Sequence, residues 1–396
     1  MIRRRFGRTE LQMPVFSCGG MRYQQSWKDV PETPISDITD ENQRNLEATI
    51  HRSIEVGINH IETARGYGTS EYQLGKVLPT LPRDEIIVQT KIGPQDSAEA
   101  FMEVFENCMG KLKLDYVDLL GIHGINNPEI LDKTLRKDGM WKAVTQLRKE
   151  GRIRFVGFST HGNCVSNVKV INTGEFDYVN LHWYYVDQSN WPAIEAATRQ
   201  DMGVFIISPN DKGGKLYSPS RKLVELCDPL TPMGFNDLFC LSHPEVHTLS
   251  LGVSCPSDFD AHLEILPYLD QAKETIAPVM QRIENEMEKV LGRHWLQNWQ
   301  VNLPEWYDVP NEVNLYHILR LHNFAKGLDM LEYGKMRYNL LGNGGHWFPG
   351  YKVDVIDWEK LDACIAGSPV KEQIPVALKE AHDLLSGEEL KRLSQS

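Results

Sequence analysis

The sequence predicts an α/β fold, a (β/α)8 TIM barrel, with a C-terminal helical extension. Three observations predict it. The chain has 396 residues, room for one barrel of about 250 residues and an appendage. From Phe16 to about Leu266 short apolar runs alternate with longer amphipathic stretches, the pattern of repeated βα units. From about Pro267 that rhythm stops and tryptophan-rich helical segments take over. The expected boundaries are 1–267 for the barrel and 268–396 for the extension.

The strands can be counted in order: 16–21, 59–63, 86–91, 116–122, 155–159, 178–182, 204–208 and 248–252. Eight such runs close a barrel. An open doubly wound sheet gives the same alternation, but near-regular repeats and the lack of a G-x-G-x-x-G after the first strand weigh against it. Leu46, Ile50, Ile54 and Val56 have helical spacing before the second strand, as do Phe101, Val104, Phe105 and Leu112 before the fourth. Gly57 and Gly151 fall where a helix would end in a left-handed cap that needs no Cβ. Residues 24–40, with Pro31 and Pro34, form a long loop after the first strand, at the end where barrel enzymes build their sites. The extension holds Trp295, Trp299, Trp306, Trp347 and Trp358, a helical run over 315–331, the loop Gly342-Asn343-Gly344-Gly345 and a last helix over 374–385.

Composition excludes several classes. With 41% hydrophobic, 24% charged and 9% aromatic residues, the chain is an ordinary globule, neither disordered nor fibrous. Its 42 Lys and Arg against 54 Asp and Glu leave a formal charge of −12, which repels phosphate backbones and anionic lipid, so no nucleic-acid partner is expected. No apolar run approaches the ~18 residues of a membrane span. The basic start at Arg3, Arg4 and Arg5 lacks the apolar segment of a secretory leader, which points to the cytoplasm. Cysteines 18, 108, 164, 227, 240, 255 and 364 form no C-x-x-C pair and are expected to be reduced, mostly core thiols. His161, His182 and His243 lack a regular metal spacing, and no metal site is expected.

Catalytic groups on a barrel belong at the C-terminal ends of several strands. Those ends carry Glu62, Tyr67 in the following turn, Lys91, His123, Ser159, Asn180 and Ser208. Singly each has an ordinary explanation, as a solvated lysine or a hydrogen-bonded core histidine. Together they form a polar ring around one mouth.

The segment Gly57-Ile58-Asn59-His60-Ile61-Glu62-Thr63-Ala64-Arg65-Gly66-Tyr67-Gly68, continuing through Ser70-Glu71 to Leu74-Gly75, resembles the signature of the aldo-keto reductase family. The resemblance runs over the barrel through Gln89-Thr90-Lys91, through Asp115-Tyr116-Val117-Asp118-Leu119 ahead of His123, and through Gly157-Phe158-Ser159-Thr160-His161. It implies NAD(P)H-dependent reduction of an aldehyde or ketone to an alcohol, with Tyr67 as proton donor. The alternative is a cofactor-binding regulatory or redox-sensing protein with little turnover. A lyase using Lys91 as a Schiff base is disfavoured by Tyr67 and His123. Three members of the family's tetrad fall on Tyr67, Lys91 and His123; the fourth, usually Asp, is Glu62. The physics is plain: a carbonyl taking up hydride becomes an alkoxide and needs a nearby proton. An ammonium beside the phenol should lower its pKa from ~10, and a carboxylate should keep that ammonium charged. His123 would hold the substrate oxygen. Glu62, one methylene longer than Asp, should fold back or push Lys91 toward Tyr67.

The same resemblance implies a dinucleotide across the barrel mouth, NADP(H) with NAD(H) as the alternative. Gly20, Met21 and Arg22 match its first-strand contact, Ser159 and Asn180 its carboxamide ligands, and Tyr184 a place near the ring. Residues 208–216, with Ser208, Lys212, Gly214, Lys215 and Leu216, match the pyrophosphate loop. Ser254, Asp258 and His262 should meet the adenosine end, Asp258 replacing an arginine and accepting a ribose hydroxyl. The extension resembles that of a subgroup with a ferredoxin-like domain and a [4Fe–4S] cluster, but from residue 270 onward Cys364 stands alone where four thiolates are needed. A degenerate domain without an Fe–S cluster is expected, its tryptophans filling the lost cofactor's space. The expected partner is a small-molecule carbonyl substrate; neither its identity nor the oligomeric state has a readable code.

Overall fold

The computed structural model describes residues 1–392, so the last four residues of the expected extension lie outside it. A short antiparallel hairpin of β1 (Arg3–Arg5) and β2 (Gln12–Pro14) opens the chain. Eight strands then close a barrel in sequence order: β3 (Phe16–Gly19), β4 (His60–Glu62), β5 (Ile87–Ile92), β6 (Val117–His123), β7 (Ile153–Ser159), β8 (Tyr178–Leu181), β9 (Gly203–Ile206) and β10 (Thr248–Leu251). All neighbours are parallel, and β10 returns to β3 with Leu249 opposite Phe16. The eight expected runs are these eight strands, with ends shifted by a residue or two.

The interior is layered. The hairpin's Phe6 packs with Met13, Ile87, Leu119, Tyr178 and Phe205 into an apolar cluster. Gly203 keeps room for that plug, since a Cβ there would stand 2.6 Å from the Phe6 ring. A polar layer also lies inside: Ser17 Oγ is 2.6 Å from His60 Nδ1 and 2.8 Å from Thr248 Oγ1. Burial first, and Lys91 second, push the His60 imidazole down to about 3, so it is neutral in the fold.

The helices outside follow the predicted spacing. Asp40–Glu55 is capped by the Thr39 side chain accepting from Asn42 N, and Ala98–Leu112 by Ser97 accepting from Ala100 N. Gly57 and Gly151 adopt the left-handed conformation expected of them, at φ 84° and 72°. The loop after β3 is tied down: Asp29 Oδ2 takes both Arg65 and Lys111, Thr69 N donates to Ser26 O at 3.0 Å and Gln25 N to Gln73 Oε1 at 2.8 Å. The turn before the helix at Ser70 presses on this loop, because a Cβ on Gly68 would stand 1.9 Å from Ser26 O.

The chain divides into two compact units, Met1–Gly213 with Asn236–Ala272, and Gly214–Phe235 with the chain from Lys273 onward. In the second unit the expected run 315–331 is two helices, Leu315–Leu328 and Leu331–Tyr338, because Asp329 turns left-handed at φ 55°. Gly334 lets the last helix, Ile374–Leu385, approach: a Cβ would stand 2.7 Å from Leu385 Cδ2. The extension's tryptophans do not fill one space. Trp295 is buried and donates to Asn323 Oδ1 at 2.7 Å, Trp299 stacks on Tyr316, and Trp358 is exposed beneath Lys379. All seven cysteines are free thiols, four of them buried. Among the described residues no helix is long and apolar enough to cross a membrane.

Candidate active site

Strand register builds one rim. Glu62 stands opposite Gly19 and Gln89, Lys91 opposite Gly121, His123 opposite Ser159, and Ser159 opposite Asn180. Inward and outward residues alternate along barrel strands, and Glu62 and Lys91 are drawn inward, 2% and 1% exposed. The Lys91 ammonium spends its three hydrogens on the Glu62 carboxylate, on Thr63 O at 2.9 Å and on the Tyr67 hydroxyl at 3.2 Å. Tyr67 Oη also lies 3.4 Å from Glu62 Oε1. The Tyr67 ring meets His123 edge-on at 5.9 Å and Trp27 edge-on at 6.3 Å, so a wall of three rings stands at the mouth.

The longer carboxylate at 62 is accommodated by residues that sequence reasoning missed. Ser250, on β10, donates to Glu62 Oε2 at 2.8 Å. Gly19 leaves space for both: a Cβ there would stand 2.7 Å from Ser250 Oγ and 3.3 Å from Glu62 Oε2. Gly121 does the same for the lysine stem, 2.9 Å from Lys91 Cγ. So Glu62 divides its oxygens between Lys91 and Ser250. Two signals were present: polar Thr248 and Ser250 alternate with Leu249 and Leu251, and a glycine inside a strand marks close approach.

The electrostatics differ from the expectation in one respect. The Tyr67 phenol is pushed well above its ordinary value, by burial first and by the Glu62 carboxylate next. The Lys91 ammonium is pulled below its own by burial, with Glu62 pulling the other way. The expected acidification of Tyr67 is therefore not the net result: loss of water first, and the carboxylate next, raise the phenol. Tyr67 is accordingly a protonated phenol at neutral pH, the state a donor needs.

The residues expected to hold a dinucleotide are placed as follows. Asn180 is buried beside Ser159, and neither its amide oxygen nor its amide nitrogen has a protein partner. Ser159 Oγ accepts from Gly124 N at 3.1 Å. Gly20 backs onto the Glu62 carbonyl, where a Cβ would come within 2.6 Å, and Met21 follows it after β3. Arg22 pairs with Asp211 at 3.2 Å. Ser208, at φ 54°, opens a tight turn in which Lys212 N donates to Ser208 O at 3.1 Å. Lys212 Nζ lies 3.2 Å from His161 Nδ1 and 3.4 Å from His182 Nε2. The Tyr184 hydroxyl donates to Ile207 O and sits against His182 Nδ1. Gly214 and Leu216 belong to the second unit, as does Lys215, which pairs with Glu332 at 3.4 Å.

The adenosine-end residues are already engaged. Asp258 Oδ2 accepts from both Ser254 N and Ser254 Oγ at 2.7 Å and from Cys255 N at 3.2 Å. Burial alone would raise that carboxyl, but these donors hold it below its ordinary value. A carboxylate so occupied caps its own turn instead of presenting both oxygens to a ribose. His262 is 2% exposed and hydrogen-bonded to Asp237.

Residues 17–208 match the model of the aldo/keto reductase family. Over those residues the barrel matches an aldo/keto reductase domain. Its curated relatives include L-galactose dehydrogenase of Arabidopsis thaliana, 35% identical over 124 residues that cover 28% of this chain and 37% of that protein. Another is glyoxal reductase of Bacillus subtilis, 29% identical over 121 residues, 30% of this chain and 41% of the relative. The chain thus spans less than half the length of these relatives. Among solved structures, an aldo-keto reductase from Bacillus halodurans in its holo form superposes with a TM-score of 0.58 at 20% identity, covering 71% of this chain and 96% of that one. One from Klebsiella pneumoniae in complex with NADPH gives 0.54 at 17% identity, covering 70% and 96%. At such identities the likeness is one of fold alone, that of the closed eight-stranded barrel.

Proposed function

We propose that this aldo/keto reductase domain reduces an aldehyde or ketone to an alcohol with NAD(P)H, Tyr67 supplying the proton. The observation that carries the proposal is the buried contact of Tyr67 Oη with Lys91 Nζ at 3.2 Å, over a carboxylate, at the barrel mouth. The residues present fit a dinucleotide: Asn180 offers a buried, unpartnered donor and acceptor suited to a carboxamide, and Lys212 adds a cation on the tight loop after β9. When bound, the reduced nicotinamide supplies hydride to the carbonyl carbon. The chain's own residues do the rest. Tyr67 gives its phenolic proton to the carbonyl oxygen as charge develops there, and the phenolate left behind rests against the Lys91 ammonium. Glu62 and Ser250 keep that ammonium aimed, and His123 supports the same oxygen. Trp27 borders the space the substrate enters. The proposal includes no iron–sulfur cluster, since the extension carries one cysteine, Cys364.

The test is transfer of label. The full chain is incubated with NADPH or NADH deuterated on the nicotinamide and with a panel including glyoxal, methylglyoxal and aldoses, chosen because relatives carry those names. Deuterium on the carbinol carbon of a product is the expected result. Tight dinucleotide binding with no label in any product would overturn the proposal in favour of a regulatory, cofactor-sensing protein.

A further inference from the structure

The loop after β9 is braced from behind by residues that take no part in the tetrad. It is tight: a Cβ on Gly213 would stand 1.9 Å from Pro209 O. Two neighbours on the helix Pro232–Leu241 reach it. Asn236 Nδ2 donates to Pro209 O at 3.2 Å. Asp237 reaches it through His262, whose Nδ1 is hydrogen-bonded to Asp237 Oδ2 and whose Nε2 lies 3.1 Å from Asn210 Nδ2. All three members of this chain are buried, Asp237 fully and Asn210 at 9% exposure.

The hydrogen-bond roles are fixed by chemistry. A carboxylate only accepts, so Nδ1 of His262 carries the hydrogen; an amide nitrogen only donates, so Nε2 presents its lone pair to Asn210. That turns the Asn210 amide nitrogen inward and leaves Oδ1, also buried, without a protein partner. A buried acceptor left alone is costly, and a water or a ligand hydroxyl would satisfy it.

We infer that Asp237 and His262 are positioning residues that fix the Asn210 side chain and, with it, the loop 208–213 in the shape that receives the dinucleotide's diphosphate. The inference rests on the dinucleotide reading above. His262 serves the cofactor from behind the loop, where the sequence placed it against the adenosine. An isolated salt bridge would stabilise the barrel without altering the loop; a relay ending on Asn210 couples the two.

A double-mutant cycle on the full chain tests this, read by calorimetric Kd for NADPH and by amide hydrogen exchange in residues 209–213. His262→Phe keeps a ring and removes both nitrogens. It is expected to weaken NADPH by about 5- to 30-fold and to speed exchange in the loop, with Kd and KM for NADPH moving more than kcat. His262→Gln, which keeps a donor and an acceptor, should recover most of the affinity. In Asn210→Ala the relay has nothing left to hold, so adding His262→Phe should cost no more. Wild-type affinity and loop exchange in His262→Phe, or losses that multiply in the double variant, would overturn the inference. Should His262→Phe not fold, Asp237→Ala with Asn210→Ala closes the same cycle. If the wild-type chain binds neither NADPH nor NADH, it is the functional reading that falls; loop exchange then decides the inference alone, faster in His262→Phe if it holds and unchanged if it does not.

Discussion

Glu62 shows how one residue's length is absorbed by its surroundings. Its two oxygens have separate duties, Oε1 to Lys91 and Oε2 to Ser250. Glu62→Asp therefore should not restore a tighter site. A shorter arm must release either Ser250 or Lys91, and steady-state kinetics should show kcat reduced by about 10- to 100-fold; an unchanged kcat would mean that the carboxylate's reach is immaterial. The tetrad positions were legible because each lies at the end of a strand or in the turn that follows it, within a local motif. Ser250 was not, since its partner is 188 residues away and the polar alternation along its strand marks an inward face without naming what the serine meets there. The direction of the Tyr67 shift was equally hidden: a sequence shows which charges are near, but not how much water has been removed from around them.

At the scale of elements, the barrel strands were legible because parallel strands buried on both faces read as apolar runs, and the two helix-ending glycines because their φ values suit no other residue as well. The split at Asp329 was not, as the residue that turns left-handed is an aspartate, while the nearby Gly327 stays inside the first helix. The loop after β3 was visible only as an interruption, and its order comes from charge. Asp29 ties it to Arg65, two residues before Tyr67, and to Lys111. With Trp27 on that loop facing Tyr67, loosening the tie should blur the substrate pocket more than the chemistry. Asp29→Asn is expected to raise KM for the carbonyl by about 5- to 30-fold with a smaller change in kcat; equal losses in kcat and kcat/KM would instead tie Asp29 to the transition state.

For the whole molecule, two histidines kept from water, His60 in the barrel's polar layer and His247 against Val204 N, set an acid limit. His60 is held at about 3 and His247 at about 4, both by burial first, against an ordinary value of 6.5. The unfolded chain takes up those protons before the folded one does, so the stability they contribute is complete above pH 6.5 and is lost as pH falls toward 3. Each histidine should cost up to ~1.4 kcal/mol per pH unit in that window. Chemical denaturation across pH 7 to 4 should show this slope, shallower in His60→Gln; equal slopes would remove His60 from the account. The proposed function depends on the same exclusion of water at the mouth, which keeps Tyr67 protonated beside the Lys91 side chain that would receive the phenolate. The most direct measurement is single-turnover hydride transfer from bound NADPH to a carbonyl the wild-type chain reduces, compared with Tyr67→Phe. The account predicts a rate lower by about 10²- to 10⁴-fold with NADPH affinity unchanged; transfer at the wild-type rate without the phenolic oxygen would contradict it.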